Sequence, residues 1–177
     1  MCIRDSITID NEDNLYLLDS NGLVSVYNNK GRWEGNIGGS GSATGIASDS
    51  SGNIYILGHH QIKKFDNKNN KIATWGSYGT QYWGRIAVDN SGNIFTSDYS
   101  TKSIKKFDSN GNLLTTWGPY GSDDAHYLLD IEVDEFGNVY VISFTHIQKF
   151  DNEGRFLAQW GSPGRGDGQF VNARGIT

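Results

Sequence analysis

The sequence predicts an all-β fold of repeated four-stranded antiparallel units, and three observations carry that prediction. First, ITIDNEDNLYLLD, IASDSSGNIYILG, IAVDNSGNIFTSD and IEVDEFGNVYVIS align without a gap, placing Asp10, Asp49, Asp89 and Asp134 at one position, 39, 40 and 45 residues apart. Second, each unit continues through SVYNNKG, KKFDNKN, KKFDSNG or QKFDNEG to NIGGSG, TWGSYG, TWGPYG or QWGSPG. Third, the 177 residues include 23 Gly and only 2 Pro, with 12% aromatics, a turn-rich composition that suits short strands. Four-stranded units at a period near 40 describe the blades of a β-propeller.

Within each unit the elements follow in order. Strand a (I-A-V-D in the third unit) and strand b (N-I-F-T) flank one tight turn, and strand c (S-I-K-K-F) and strand d (L-L-T-T-W) flank another. In D-x-x-G-N the Asp accepts backbone N–H groups of a type I turn, and Gly supplies the residue at positive φ. Asp13 and Asn69 stand in that Gly position in two of the turns. Both residue types tolerate the left-handed conformation better than most. The aspartates are therefore read as turn caps. A helix–loop–helix calcium site needs D-x-[DN]-x-[DN]-G, which this spacing does not provide. Trp75, Trp117 and Trp160, with Ile37 in the first unit, end strand d and are expected to fill the space between blades. The G-x-x-G after them is read as a turn device at the blade exit, because four occurrences argue against a phosphate loop.

"GRIAVDNSGNIFTSD…SIKKFDSNGNLLTTWGPYG", with its SGNIY-type motif, resembles the NHL repeat, here of a bacterial type. The resemblance runs from Ile7 to Thr177 and implies a six-bladed ring, of which about four blades are present. The repeats fall at 7–45, 46–85, 86–130 and 131–177, the last including the start of the next. The family's usual Asn-His-Arg before strand c is replaced by His59-His60-Gln61, Thr101-Lys102-Ser103 and Thr145-His146. Residues 1–6, MCIRDS, resemble a translated sequencing adapter, and the closing GIT stops inside a strand a. The chain is accordingly expected to be a fragment, with the only Met and the only Cys set aside as non-native. MCIRDS has no apolar run of the kind a secretory signal carries. The compartment stays open, with an extracellular or periplasmic setting slightly favoured.

In an up-and-down blade the a–b and c–d turns lie on one side, and the b–c loops and d–a connections lie on the other. The first side repeats itself; the second varies in length and chemistry, which marks it as the binding face. His59, His60, Tyr78, Tyr82, Trp83, Tyr99, Lys102, Tyr120, His126 and Tyr127 are its candidate contact residues. Aromatics with scattered polar groups suit a protein, peptide or glycan ligand. A net charge of −5 speaks against nucleic acid bound by bulk charge. No apolar run is long enough for a membrane span.

For chemistry the sequence names no catalytic residue and no cofactor. G-x-S-x-G is absent, and the four histidines, His146 among them, share no zinc-ligand spacing. One position stands out: the second residue of strand a is Thr8, Ala47, Ala87 and then Glu132. A carboxylate in an Ala-sized space costs desolvation unless it is solvated or paired. Glu132 is thus the candidate ligand in a rival reading, a lactonase-like or amidating-lyase-like propeller enzyme with an axial divalent cation such as calcium or zinc. Lys63-Lys64 and Lys105-Lys106 of strand c are expected to form a solvated outer rim that discourages edge pairing.

Overall fold

The computed structural model describes residues 6–19, 21–38, 43–58, 61–76, 84–98, 101–118, 128–171, 173 and 175–176. It holds two compact units, Met1–Thr80 and Gln81–Thr177. In the first, β1 (Ser6–Ile9), β2 (Leu15–Leu18), β3 (Leu23–Tyr27) and β4 (Trp33–Gly38) form one antiparallel sheet, blade 1. Blade 2 follows as β5 (Ala43–Ser48), β6 (Ile54–Gly58), β7 (Gln61–Phe65) and β8 (Lys71–Gly76). The second unit repeats the plan. Blade 3 is β9 (Arg85–Val88), β10 (Ile94–Asp98), β11 (Ser103–Phe107) and β12 (Leu113–Trp117), and blade 4 is β13 (Asp130–Val133), β14 (Val139–Ile142), β15 (Ile147–Phe150) and β16 (Phe156–Trp160). Every sheet is a simple meander in the predicted a-b-c-d order.

The turns obey the predicted chemistry at all eight a–b and c–d sites. In each, the N–H of the fourth residue bonds the carbonyl of the first, as from Gly52 to Asp49 and from Gly154 to Asp151. The first residue's side chain accepts the N–H groups two and four positions on; Asp134 Oδ1, for instance, takes Phe136 and Asn138 at 3.0 and 2.8 Å. The fourth residue is left-handed throughout. Asp13 and Asn69 sit at φ 63 and 66, beside glycines such as Gly92 at 80. Each c–d pairing slips by one residue just before this turn, at Val26/Tyr27, Lys64/Phe65, Lys106/Phe107 and Lys149/Phe150. The a–b pairings, which share the left-handed fourth residue, run in register up to their turns, so the slip is a bulge particular to the c–d hairpins.

Three of the four a–b aspartates have a second lock. Tyr16, Tyr55 and Tyr140 donate their hydroxyls to Asp10, Asp49 and Asp134 at 3.1, 3.0 and 3.1 Å. Burial, reinforced by the facing carboxylate, pushes the Tyr16 and Tyr55 phenols well above their ordinary range. Burial raises Asp134 as well, but bonds from Asn138, Tyr140 and Phe136 outweigh it and leave this carboxyl below its usual value. Blade 3 has Phe95 instead of Tyr, and there the amide of Asn152 approaches Asp89 at 3.5 Å.

Each unit buries its own interblade core. In the first, Tyr16, Leu18, Val24, Val26 and Ile37 of blade 1 pack on Ile46, Ile54, Ile56 and Phe65 of blade 2. In the second, Phe95 and Ile104 of blade 3 meet Ile131, Val139, Val141 and Phe150 of blade 4. The strand-d position behaves as the sequence implies where the following blade belongs to the same unit. Ile37 is buried, and the Trp117 ring lies 6.3 Å from both Phe95 and Phe150. Trp160 stacks on Tyr140 of its own blade and is 47% exposed.

The strand-c lysines differ from the expectation of a solvated rim. Strand c is an interior strand, because strand d forms the outer edge of every blade. Lys64, Lys106 and Lys149 instead lie over the rings of Tyr55, Phe95 and Tyr140 at 5.0, 5.6 and 5.0 Å. Lys105 is tied into a buried ion pair. The alternation of a strand sends neighbouring lysines to opposite faces of one blade, so neither lies on a rim.

Candidate functional site

The b–c connections differ from blade to blade, in contrast to the eight uniform turns. Blade 1 uses a tight turn in which Asp19 Oδ1 accepts the N–H groups of Asn21 and Leu23, and Gly22 is left-handed at φ 79. Blade 4 uses Ser143 and His146: Ser143 Oγ receives the His146 N–H at 3.1 Å, and Thr145 Oγ1 lies 2.8 Å from His146 Nδ1. Blade 3 has a longer loop with Lys102 at φ 52 and exposed, in the place that blade 1 gives to Gly22. A lysine in a left-handed conformation persists only where its surroundings hold it there.

Those surroundings are polar and buried. Thr96, Ser97, Asp98 and Ser103 are all buried, where the other blades carry Leu17-Leu18, Ile56-Leu57 and Val141-Ile142 at the Thr96-Ser97 positions. The Asp98 side chain is fully enclosed, and the Lys105 ammonium reaches Asp98 Oδ2 at 3.1 Å. Asp98 Oδ1 accepts the Thr101 N–H at 3.3 Å, and Thr101 Oγ1 lies 2.7 Å from Ser103 Oγ. Ser97 Oγ accepts the Arg85 N–H at 3.0 Å. Asp98 therefore spans the loop: one oxygen caps its backbone while the other holds a cation from the next strand. Sequence reasoning missed Asp98, although aligning strand b across the repeats isolates T-S-D as its most polar version.

The d–a connection of blade 4 is described along most of its length. Phe170 N–H bonds Ser162 O at 2.9 Å, Gly164 N–H bonds Phe170 O at 3.3 Å, and Gly166 N–H bonds Gln169 Oε1 at 2.9 Å. Gly161, at φ 94, lies against the Phe170 ring, leaving no room for a Cβ. The printed backbone bonds of this G-x-x-G run to Phe170, outside the motif, where the sequence reading expected a turn closed within it.

Glu132 lies on β13 with Asp130 two residues before it. Its side chain is solvent-exposed, yet crowding by the surrounding protein raises its carboxyl above the ordinary range; the Val133 N–H opposes this at 3.3 Å and the Asp130 charge adds to it. Asp130 is likewise raised by burial, against bonds from the Ile176 and Ile131 N–H groups and the charge of Arg85, whose Nε lies 3.9 Å away. The aligned Ala47 and Ala87 are buried. Among the described residues, no group of three His, Cys, Asp or Glu side chains is placed to hold a metal ion. Of the ten candidate contact residues, Lys102 alone falls among the described ones; His59, His60, Tyr78, Tyr82, Trp83, Tyr99, Tyr120, His126 and Tyr127 lie outside them. Among the described residues, no helix is long and apolar enough to cross a membrane.

Solved structures share this architecture. The chain is similar to a streptogramin B lyase, with a TM-score of 0.74 and 15% identity over 90% of this chain and 54% of that one. It is similar to the virginiamycin B lyase of Staphylococcus aureus, with a TM-score of 0.73 and 11% identity over 89% and 55%. A protein of unknown function from Bacteroides caccae matches at 0.67 and 15% over 87% and 59%. The fold is a β-propeller. Such identities speak to fold alone, and the chain spans little more than half the length of these structures. No family model and no curated protein matches it.

Proposed function

We propose that the chain is an NHL-like propeller module that binds a protein, peptide or glycan through its b–c and d–a loop face. The observation that carries this reading is the contrast between the two sides of the blades. Eight turns on one side share a single hydrogen-bonding scheme, whereas the described b–c loops differ from one another: blade 1 repeats that scheme around Asp19, and blades 3 and 4 depart from it in two different ways. Regular scaffolding with variation confined to one side is how repeat folds place recognition. Six blades in the whole ring accord with this reading and with the greater length of the similar structures.

The experiment is to find a ligand on peptide and glycan arrays and then to weaken it by substitution. Tyr99→Ala and Lys102→Ala should each weaken binding by about tenfold or more, the loss typical of a central contact. Lys68→Ala, in a c–d turn on the opposite side, should leave binding unchanged. Equal losses from all three variants would sink the proposal.

A propeller lyase or hydrolase is the second reading, and Glu132 is the observation that favours it. An ionised carboxylate kept where its own protein mass disfavours the charge is a pattern of functional sites. Two of the similar structures are lyases by name. Because its folded-state pKa is raised, Glu132 supports the fold fully only below the unfolded carboxylate range, and that support is lost as pH rises through the raised value. Glu132→Gln should therefore raise the melting temperature at neutral pH, by no more than about 4 °C. The gain should vanish in acid below the ordinary carboxylate range. A lower melting temperature at pH 7 would show that the ionised group is structurally required.

A further inference from the structure

Every blade ends on strand d, whose outer side pairs with no strand among the described residues. An open edge is a row of backbone donors and acceptors that another chain can join, and folded proteins guard such edges with charge or weaken them with glycine. Three of the four edges here are treated in that way. β4 carries Glu34 and Gly35, the latter at φ 141, β8 starts on Lys71, and β16 follows directly on Arg155. β12 has none of these. It reads Leu-Leu-Thr-Thr-Trp, and no charged residue stands between Asp108 and Asp123. The strand-c lysines beside it do not guard it either, because Lys105 turns to Asp98 and Lys106 to Asn152.

The side chains of β12 suit a partner strand. Thr115, Thr116 and Trp117 stand opposite Lys106, Lys105 and Ile104 in a regular ladder, and the bulge next to the turn leaves Leu114 as the extra residue beside Leu113. Leu113 and Leu114 are 45% and 53% exposed. That exposure follows from the register itself. At the place of Leu114, Ile72 in blade 2 and Leu157 in blade 4 are 53% and 50% exposed, with blades 1 and 3 packed against those blades. A propeller joins its blades face to face and leaves every strand d on the circumference, so this edge stays open however many blades complete the ring.

We infer that β12 is a docking strand, along which an extended, uncharged segment of a partner protein adds as a fifth strand of blade 3. Backbone hydrogen bonds hold the segment, as in other cases of strand addition. Leu113 and Leu114 cover its apolar side chains, and Thr115 and Thr116 favour β-branched or hydroxyl residues beside them. A charge in the segment would lose water on this edge and find no counter-charge there. The site lies on the outer circumference, apart from the loop face, and does not depend on what that face binds.

The test uses the full 177-residue chain and a labelled, end-capped peptide that alternates valine and threonine over the length of β12, titrated by fluorescence anisotropy. A strand turns alternate N–H groups to its two edges, so N-methylation of every second residue blocks one edge of the peptide and methylation of all residues blocks both. The half-methylated peptide should still bind through its free edge, and the fully methylated one should not. Leu114→Lys sets a charge on the β12 edge and should weaken binding by about tenfold or more. Ile72→Lys, at the same register in blade 2, should leave binding unchanged. Circular dichroism verifies folding, and Thr116→Lys serves as the block if Leu114→Lys unfolds. A parent that does not bind at about 1 mM peptide, the weak end of recognition, overturns the inference. So do equal losses from Leu114→Lys and Ile72→Lys, or a fully methylated peptide that binds as well as the unmodified one. A parent that sediments as two chains, and as one after Leu114→Lys, would give the edge to a second copy and overturn the partner segment.

Discussion

Replacing Lys105 with Met should destabilise the protein by about 3–5 kcal/mol, measured from urea midpoints. The substitution keeps the length of the side chain but leaves the fully enclosed Asp98 carboxylate without the ammonium at 3.1 Å. The magnitude reflects the asymmetry of buried ion pairs. Forming one gains little over an apolar pair, whereas removing one partner leaves a charge that water cannot reach. The internal control is the double variant Asp98→Ser with Lys105→Gln, which installs the residues of blade 4. There Gln148 donates to Gln159 Oε1 at 2.7 Å and Ser143 bonds across its loop without any ion pair. The double variant should recover most of the lost stability. Recovery without the ligand affinity of the parent would separate the pair's contribution to folding from its hold on the Lys102 loop. A single-variant loss under 1 kcal/mol would show that other groups compensate the Asp98 charge.

Gly154→Ala should cost about 2–5 kcal/mol, whereas Gly31→Ala, at the same place in the blade 1 turn, should cost only about 1–2 kcal/mol. Both glycines are left-handed, at φ 84 and 73. A side chain at either one meets the same backbone strain. The difference lies in what stands opposite. A Cβ on Gly154 would lie 2.6–2.9 Å from three atoms of the Trp117 ring, which is held between Phe95 and Phe150 and cannot step aside. Thermal or urea unfolding of the two variants, measured side by side at low protein concentration, isolates that contact. Equal losses would mean that the ring gives way.

The architecture was legible in the sequence because its determinants are local and repeated. An Asp (Asn28 in one turn) and a left-handed residue at fixed spacing, followed by Asn in six of the eight turns, specify the turn, and the repetition made the substitutions at Asp13 and Asn69 interpretable before any coordinates. Position in the sheet was less legible. The lysine pairs of strand c look like a charged rim when read alone, but strand d takes the edge and leaves Lys64 and Lys106 over rings and Lys105 beside a carboxylate. Asp98 was hidden for a similar reason: an Asp at the end of strand b also occurs in blade 1, where Asp19 merely caps a turn. Its partner is seven residues away across a hairpin, and only the folded register brings the two together. Glu132 announced itself as an outlier, and the structure leaves its side chain open to solvent where the aligned Ala47 and Ala87 are buried. The remaining loop candidates are spread over segments whose spacing in sequence carries no rule for their arrangement in space, since loops lack the periodicity that strands impose.

The uniform turns also bear on how the chain acquires its fold. Nearly all their bonds close within six residues, from Asp to the amides and the Tyr hydroxyl that follow. Such contacts cost little loop entropy, so the hairpins form early and register is fixed before blades meet. What remains slow is the docking of one finished blade on the next, where residues forty positions apart first touch, as Thr8 and Ser48 do at 3.0 Å. Nucleation is thereby distributed along the chain, and amide exchange should reveal several openings of unequal free energy instead of one global event.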